Sequence, residues 1–209
     1  MLNRIIDAIY FTFENSKSLF EDASILKENK KFGRAYTLFH LSFEESGRFY
    51  ILYNLFISYL RGKIKAKDLN YGKLKKLGYE DHITKLNESY QGMKDISTIL
   101  LMVLRDQTEN EELKKEIEKD INDLGKLIEQ FEIPTSELNE LKNVGLYVTF
   151  KNNQFRLPDK TITVNQFIQI EKLATLSLSF LEKVMEFAEA HGGLHDYDRQ
   201  VKIEKTKSN

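Results

Sequence analysis

Four groups of residues in this 209-residue chain combine side chains and spacings that could do chemistry. The first is Glu44-Glu45-Ser46-Gly47-Arg48. Leu38, Ser42, Glu45, Phe49, Leu52, Phe56 and Tyr59 follow a four–three repeat, which sets Glu45 on an otherwise apolar helical stripe. A carboxylate there is costly unless paired, so Glu45 needs a partner, in a structural ion pair or in a catalytic or binding cluster. Ser46 and Gly47 remove bulk and let another helix come close, while Glu44 and Arg48, four apart, read as a surface pair. The second group is His82 with Lys85, three apart and on one face of a helix start. A helix N-terminus favours the neutral imidazole, which can act as a general base. Just upstream, residues 61–78 hold Arg61, Lys63, Lys65, Lys67, Lys73, Lys75 and Lys76 against Asp68 alone. Such a run attracts a polyanion, and Lys73, Lys75 and Lys76 are the candidate RNA-binding residues. The plain alternative is an exposed histidine in a lysine-rich segment.

The other two groups carry less. Arg34 and His40 are six residues apart, which on a straight helix turns their side chains about 240° from one another, so they do not converge within one chain. His191 and His195 flank a Gly-Gly break near Asp196 and Asp198, donors that suit a metal but stand near a terminus expected to be loose, so no metal site is expected. No P-loop, GxGxxG, HExxH or GxSxG pattern occurs, which argues against the commonest enzyme classes. The absence of cysteine rules out disulfides, thiolate metal sites and a cysteine nucleophile. The net charge of −1 supplies no global field for nucleic acid. With no signal peptide and no crosslinks, a cytoplasmic location is expected.

Long helices must position these groups. Apolar side chains at Leu2, Ile6, Ile9, Phe13, Phe20 and Ala23 mark one face of a first helix. A second runs from about Phe32 to Leu60, apolar nearly all round and therefore central to a bundle. Its segment Phe49–Leu60 is too short to span a bilayer and is preceded by Arg48, Glu45, Glu44 and His40. A third starts near Asp81, with Ile83, Leu86, Tyr90, Met93, Ser97, Leu100 and Leu104 on one stripe. The fourth, 111–131, has Leu113, Ile117, Leu124, Ile128 and Phe131 inside and charge elsewhere. Pro134-Thr135-Ser136-Glu137 then caps a short helix. From 146 to 157 the period changes to that of a β-hairpin turning at Lys151-Asn152-Asn153. Thr163 caps a last long helix holding Phe167, Ile170, Ala174, Leu181, Val184 and Phe187. The fold expected is mainly α, one helical domain over 1–192 with a small hairpin insert, and a flexible tail over 193–209.

Three segments resemble the AbiV family of bacterial abortive-infection proteins, a branch of the HEPN helical superfamily. They are Phe43-Glu44-Glu45-Ser46-Gly47-Arg48, Asp81-His82-Ile83-Thr84-Lys85, and Lys142-Asn143-Val144-Gly145-Leu146-Tyr147-Val148 leading to Arg156-Leu157-Pro158. Arg48 stands where the family usually has lysine, which keeps the charge and changes the geometry. The Arg-x(4–6)-His pattern of HEPN ribonucleases is met by Arg34 and His40, in the wrong helix. The resemblance implies phage defence, through damage to RNA or to translation, with a homodimer and a phage-encoded activator as partners.

Two readings follow. In one, Glu45, Arg48, His82 and Lys85 converge: His82 transfers protons, the cations hold the scissile phosphate, and Glu45 orients them. A ribose 2′-OH is then the nucleophile, and no metal or other cofactor is expected. In the other, the chain is a non-catalytic module that meets a phage protein or the translation machinery, and Glu45 is structural. A dimer is expected to use Phe49–Leu60 as both core and interface.

Overall fold

The computed structural model describes residues 1–107, 109–130, 133–190 and 192–196. The first two helices, α1 (Leu2–Glu28) and α2 (Phe32–Leu60), form a long antiparallel pair across the turn at Asn29–Lys31. They are tied at mid-length by reciprocal bonds: each of Ser16 and Ser42 donates its hydroxyl to the other's carbonyl, at 2.9 and 2.8 Å. A short α3 (Tyr71–Lys76), capped by Asn70, leads into α4 (His82–Gln107), and α5 (Glu111–Gln130) packs back on α4. Next come α6 (Thr135–Val144), strands β1 (Thr149–Lys151) and β2 (Gln154–Arg156), one turn of helix α7 (Pro158–Thr161), and α8 (Val164–Ala190). The five long helices and the hairpin match the expected fold class. The side chains of Leu100, Leu104, Ile117, Leu124 and Phe131, expected on inner stripes, lie outside the described residues.

As its composition demands, α2 is the central element, packed by α1, α4, α6, α7 and α8. Phe49, Tyr50, Leu52, Leu55 and Phe56 are all buried within the one chain. On the same segment Tyr53, Ile57, Tyr59 and Leu60 are half-buried and Asn54 is exposed. The close approach expected at Ser46-Gly47 is present. A Cβ on Gly47 would stand 1.7 Å from the carbonyl oxygen of Lys85, so α2 and α4 touch backbone to backbone there. Ser46, Ser89 and Ser177 join α2, α4 and α8 around that crossing: Ser177 donates to the Ser46 hydroxyl at 2.6 Å and Ser89 to the Phe43 carbonyl at 2.6 Å.

The hairpin pairs Phe150 with Phe155 across the strands. Asn152 and Asn153 both have positive φ, 54° and 57°, the turn that suits the strand twist and that asparagine tolerates. Thr163 and Gln166 form a reciprocal cap on α8, the hydroxyl accepting from the Gln166 amide and the Gln166 side chain from that of Thr163. Asp159 accepts from the Gly33 amide at 2.7 Å and so satisfies a donor at the start of α2. Beyond α8 the chain stays packed further than its composition suggests. Leu194 is buried and its amide donates to the Tyr10 hydroxyl; residues 197–209 lie outside the described residues.

Candidate functional site

Glu44 and Glu45 are both buried on α2, Glu45 paired with Arg48, and it is on Glu44 that side chains from other helices converge. Its side chain is only 4% exposed. Lys85 on α4 reaches Glu44 Oε1 at 2.5 Å, His82 Nδ1 reaches the same oxygen at 2.7 Å, and Lys142 on α6 donates to Oε2 at 3.3 Å. Burial alone would raise the carboxyl, but the hydrogen bond and charge of Lys85, reinforced by His82 and Lys142, win and hold it down to about 2. Glu44 is therefore an anion, and the expected Glu44–Arg48 surface pair is corrected.

Local structure explains the convergence. Asp81 accepts from the Thr84 amide at 2.7 Å and starts α4 at His82. The first turn of α4 then presents His82 and Lys85 to α2, and the Gly47 contact brings the two helices close enough for both to reach one carboxylate. On the other side, the Thr37 hydroxyl donates to the Lys142 carbonyl at 3.0 Å, fixing the end of α6 against α2. At Gly145 a Cβ would meet the Thr37 hydroxyl at 2.4 Å, so the Val144-Gly145 step must be small for α6 to dock.

The members differ sharply in accessibility. The side chain of Lys85 is 2% exposed and that of Lys142 11%, but that of His82 is 54% exposed. Glu44 holds the Nδ1 edge of His82, with Lys142 Nζ 3.4 Å from the same atom, which leaves Nε2 as the edge available to a ligand. A carboxylate fixing one ring nitrogen while the other faces the reaction is the arrangement of a histidine general acid–base. Lys85 is buried, with Glu44 as its ion-pair partner.

The other expected members form a neighbouring pair. Arg48 donates to Glu45 Oε1 at 2.6 Å, and its guanidinium lies 5.0 Å from the centroid of the Tyr79 ring. So the four expected residues divide into Glu44–His82–Lys85 with Lys142, and Glu45–Arg48 with Tyr79. Both groups flank the segment from Tyr79 to Lys85. Lys75 and Lys76 are exposed on α3 and Lys73 is half-buried.

Three site residues were not anticipated in this role, Glu44, Lys142 and His40. His40 lies one turn before Glu44, fully buried, with Nδ1 4.0 Å from Glu44 Oε2 and neither ring nitrogen hydrogen-bonded. Burial pushes its imidazole down to about 3; the Glu44 charge opposes this, and Lys142, His82 and Lys85 add to it. Arg34 is exposed and lines a separate cleft with Leu146, Val148 and Leu157, apart from buried His40. At the C-terminal end, His195 stacks on Tyr10 and lies 3.5 Å from Asp7. His191 and Asp198 lie outside the described residues. Among the described residues no three His, Asp or Glu side chains gather as a metal site, and no helix is long and apolar enough to cross a membrane.

No curated protein and no solved structure matches the chain. A family model described as AbiV, of the HEPN group, matches residues 4–179, a span that takes in Glu44, His82, Lys142 and the hairpin. The chain belongs to the AbiV family of HEPN-like abortive-infection proteins.

Proposed function

We propose that this abortive-infection protein acts on RNA as a metal-independent endoribonuclease, with His82 as its proton-transfer group. The observation that carries the reading is the half-exposed His82 ring held through Nδ1 by a buried anionic Glu44. In the proposed reaction the ribose 2′-OH attacks the adjacent phosphorus while His82 Nε2 takes its proton. The P–O5′ bond breaks, and the protonated histidine returns the proton to the leaving oxygen. Arg48, one turn beyond Glu44 on α2, and Lys142, paired with Glu44, supply positive charge for the phosphate. Glu44 orients His82, and Lys85 keeps Glu44 ionised. The basic run from Arg61 to Lys76, with Lys73, Lys75 and Lys76, steers the strand toward α4.

One observation favours a second reading, a protein-binding module. On the hairpin, Val148, Phe150, Phe155 and Leu157 are all exposed, an apolar face of the kind that marks interaction sites. A phage-encoded activator, the translation machinery, or a second copy in a homodimer would each fit that face.

Phage plating separates the readings. In the RNA reading, His82→Ala folds as wild type and restores plaque formation to that of cells lacking the protein. Full protection by His82→Ala, with hairpin variants such as Phe150→Asp inactive, would favour the binding module.

A further inference from the structure

Beyond Arg48 and Tyr79, a second cleft of about 260 Å³ opens between α2, α3 and α4. Its position follows from helix geometry. Arg48, Ile51 and Leu55 recur at i, i+3 and i+7 and share one face of α2, so the cleft continues the strip that begins at the Glu44–His82 site. Ile51, Leu55 and Leu77 give it apolar walls, and Asn54, Lys73 and Glu88 supply polar groups. None of these three side chains hydrogen-bonds or pairs with another described side chain, although Glu88 and Lys73 are both half-buried. Burial, with Asp95 adding to it, raises the Glu88 carboxyl above its usual range. Polar groups with no side-chain partner among the described residues, two of them half-buried, line this apolar slot and suit a flat ligand of complementary donors and acceptors.

Their hydrogen-bonding types narrow the ligand. An ionised Glu88 only accepts and so needs donors; Lys73 only donates and so needs acceptors; Asn54 does both. Among the nucleobases, guanine alone offers two adjacent donors, N1–H and the N2 amino group, beside two adjacent acceptors, O6 and N7. Adenine and cytosine each set one donor group beside an acceptor, and uracil sets one donor between two acceptors. We propose that this cleft seats one guanine base of a single-stranded RNA, with Glu88 on its N1–H and N2 edge, Lys73 on O6 and N7, and the apolar walls on its faces. This rests on the RNA reading above and adds a base preference to it. It also gives Lys73 a role distinct from the exposed Lys75 and Lys76, which contact only the phosphate backbone. The backbone leaving the seated base would run past Arg48 toward His82.

The test is binding of intact protein to fluorescent 2′-O-methyl oligouridylates carrying one central guanine, adenine or inosine. The methyl group blocks the 2′-OH, so binding is read without cleavage. Wild type is expected to prefer guanine over adenine by about tenfold or more, with inosine, which lacks the N2 amine, between them. Glu88→Gln should lose that preference while binding the adenine oligonucleotide as before, with an unchanged melting temperature. Equal affinities in wild type, or a preference that survives Glu88→Gln, would overturn the proposal. Displacement of the oligonucleotide by equimolar guanosine monophosphate would overturn it in favour of a free nucleotide. The RNA reading is judged separately by cleavage: a guanine preference without cleaved RNA keeps the cleft and removes the nuclease, and cleavage without the preference does the reverse.

Discussion

Glu44→Gln is expected to destabilise the protein by about 3–5 kcal/mol, the largest loss of any conservative change at the site. The substitution keeps the shape and removes the one negative charge that Lys85, Lys142 and His82 share. Lys85 is then left buried inside the bundle without its counter-ion. Glu45→Gln should behave differently. Its partner Arg48 is about one-quarter exposed and retains the Tyr79 ring, so the cost should stay near or below about 1 kcal/mol. His82→Ala, at an exposed helix start, should likewise cost less than about 1 kcal/mol. Removing the stranded cation as well, in Glu44→Gln/Lys85→Met, should recover a large part of the lost stability, because a buried pair can be replaced by apolar groups at little cost. Urea unfolding of the four variants measures all of this. A Glu44→Gln midpoint equal to wild type would show that the carboxylate is not the hub.

The contrast between Glu44 and Glu45 shows where the sequence was legible and where it was not. The long helices could be read because each has a face with apolar spacings of three and four, and the hairpin because its period changes and two asparagines follow. On α2, however, apolar residues surround the axis, and a four–three phase that picks Glu45 fits the pattern as well as one that picks Glu44. What decides between them is tertiary: Gly47 lets α4 against the Glu44 side, and Lys142 arrives from 98 residues away. No local period reports either event. His40 was within reach, since its spacing of four from Glu44 places both on one face. The six-residue α3 has too few apolar positions to stand out within its basic run.

Acid should weaken the wild-type protein through His40 well before it reaches the carboxylates. The imidazole is held down to about 3 in the folded chain against 6.5 when unfolded. Between those values the unfolded chain binds a proton that the folded one rejects, so stability falls as pH falls through that window. Glu44 acts in the same direction but lower, between 4.5 and about 2. A comparison at pH 7 and pH 5 therefore isolates the histidine, whose contribution there is about 2 kcal/mol. His40→Leu should lose that part of the pH dependence and be more stable than wild type at pH 5, having also removed two ring nitrogens without partners. Denaturant melts of both proteins at the two pH values check this. Equal slopes would mean that His40 takes up a proton within the fold.

The central claim, that a Glu44-held His82 makes this AbiV protein act on RNA, is tested most directly by sequencing RNA ends after induced expression. Wild type and His82→Ala are induced to equal levels in otherwise identical cells. Cleavage by 2′-OH attack leaves 2′,3′-cyclic phosphate and 5′-hydroxyl ends. Such ends are expected to accumulate at defined positions in wild-type cells as growth stops, and to be absent with His82→Ala. Growth arrest by wild type with no new RNA ends, or the same ends with His82→Ala, would contradict that claim.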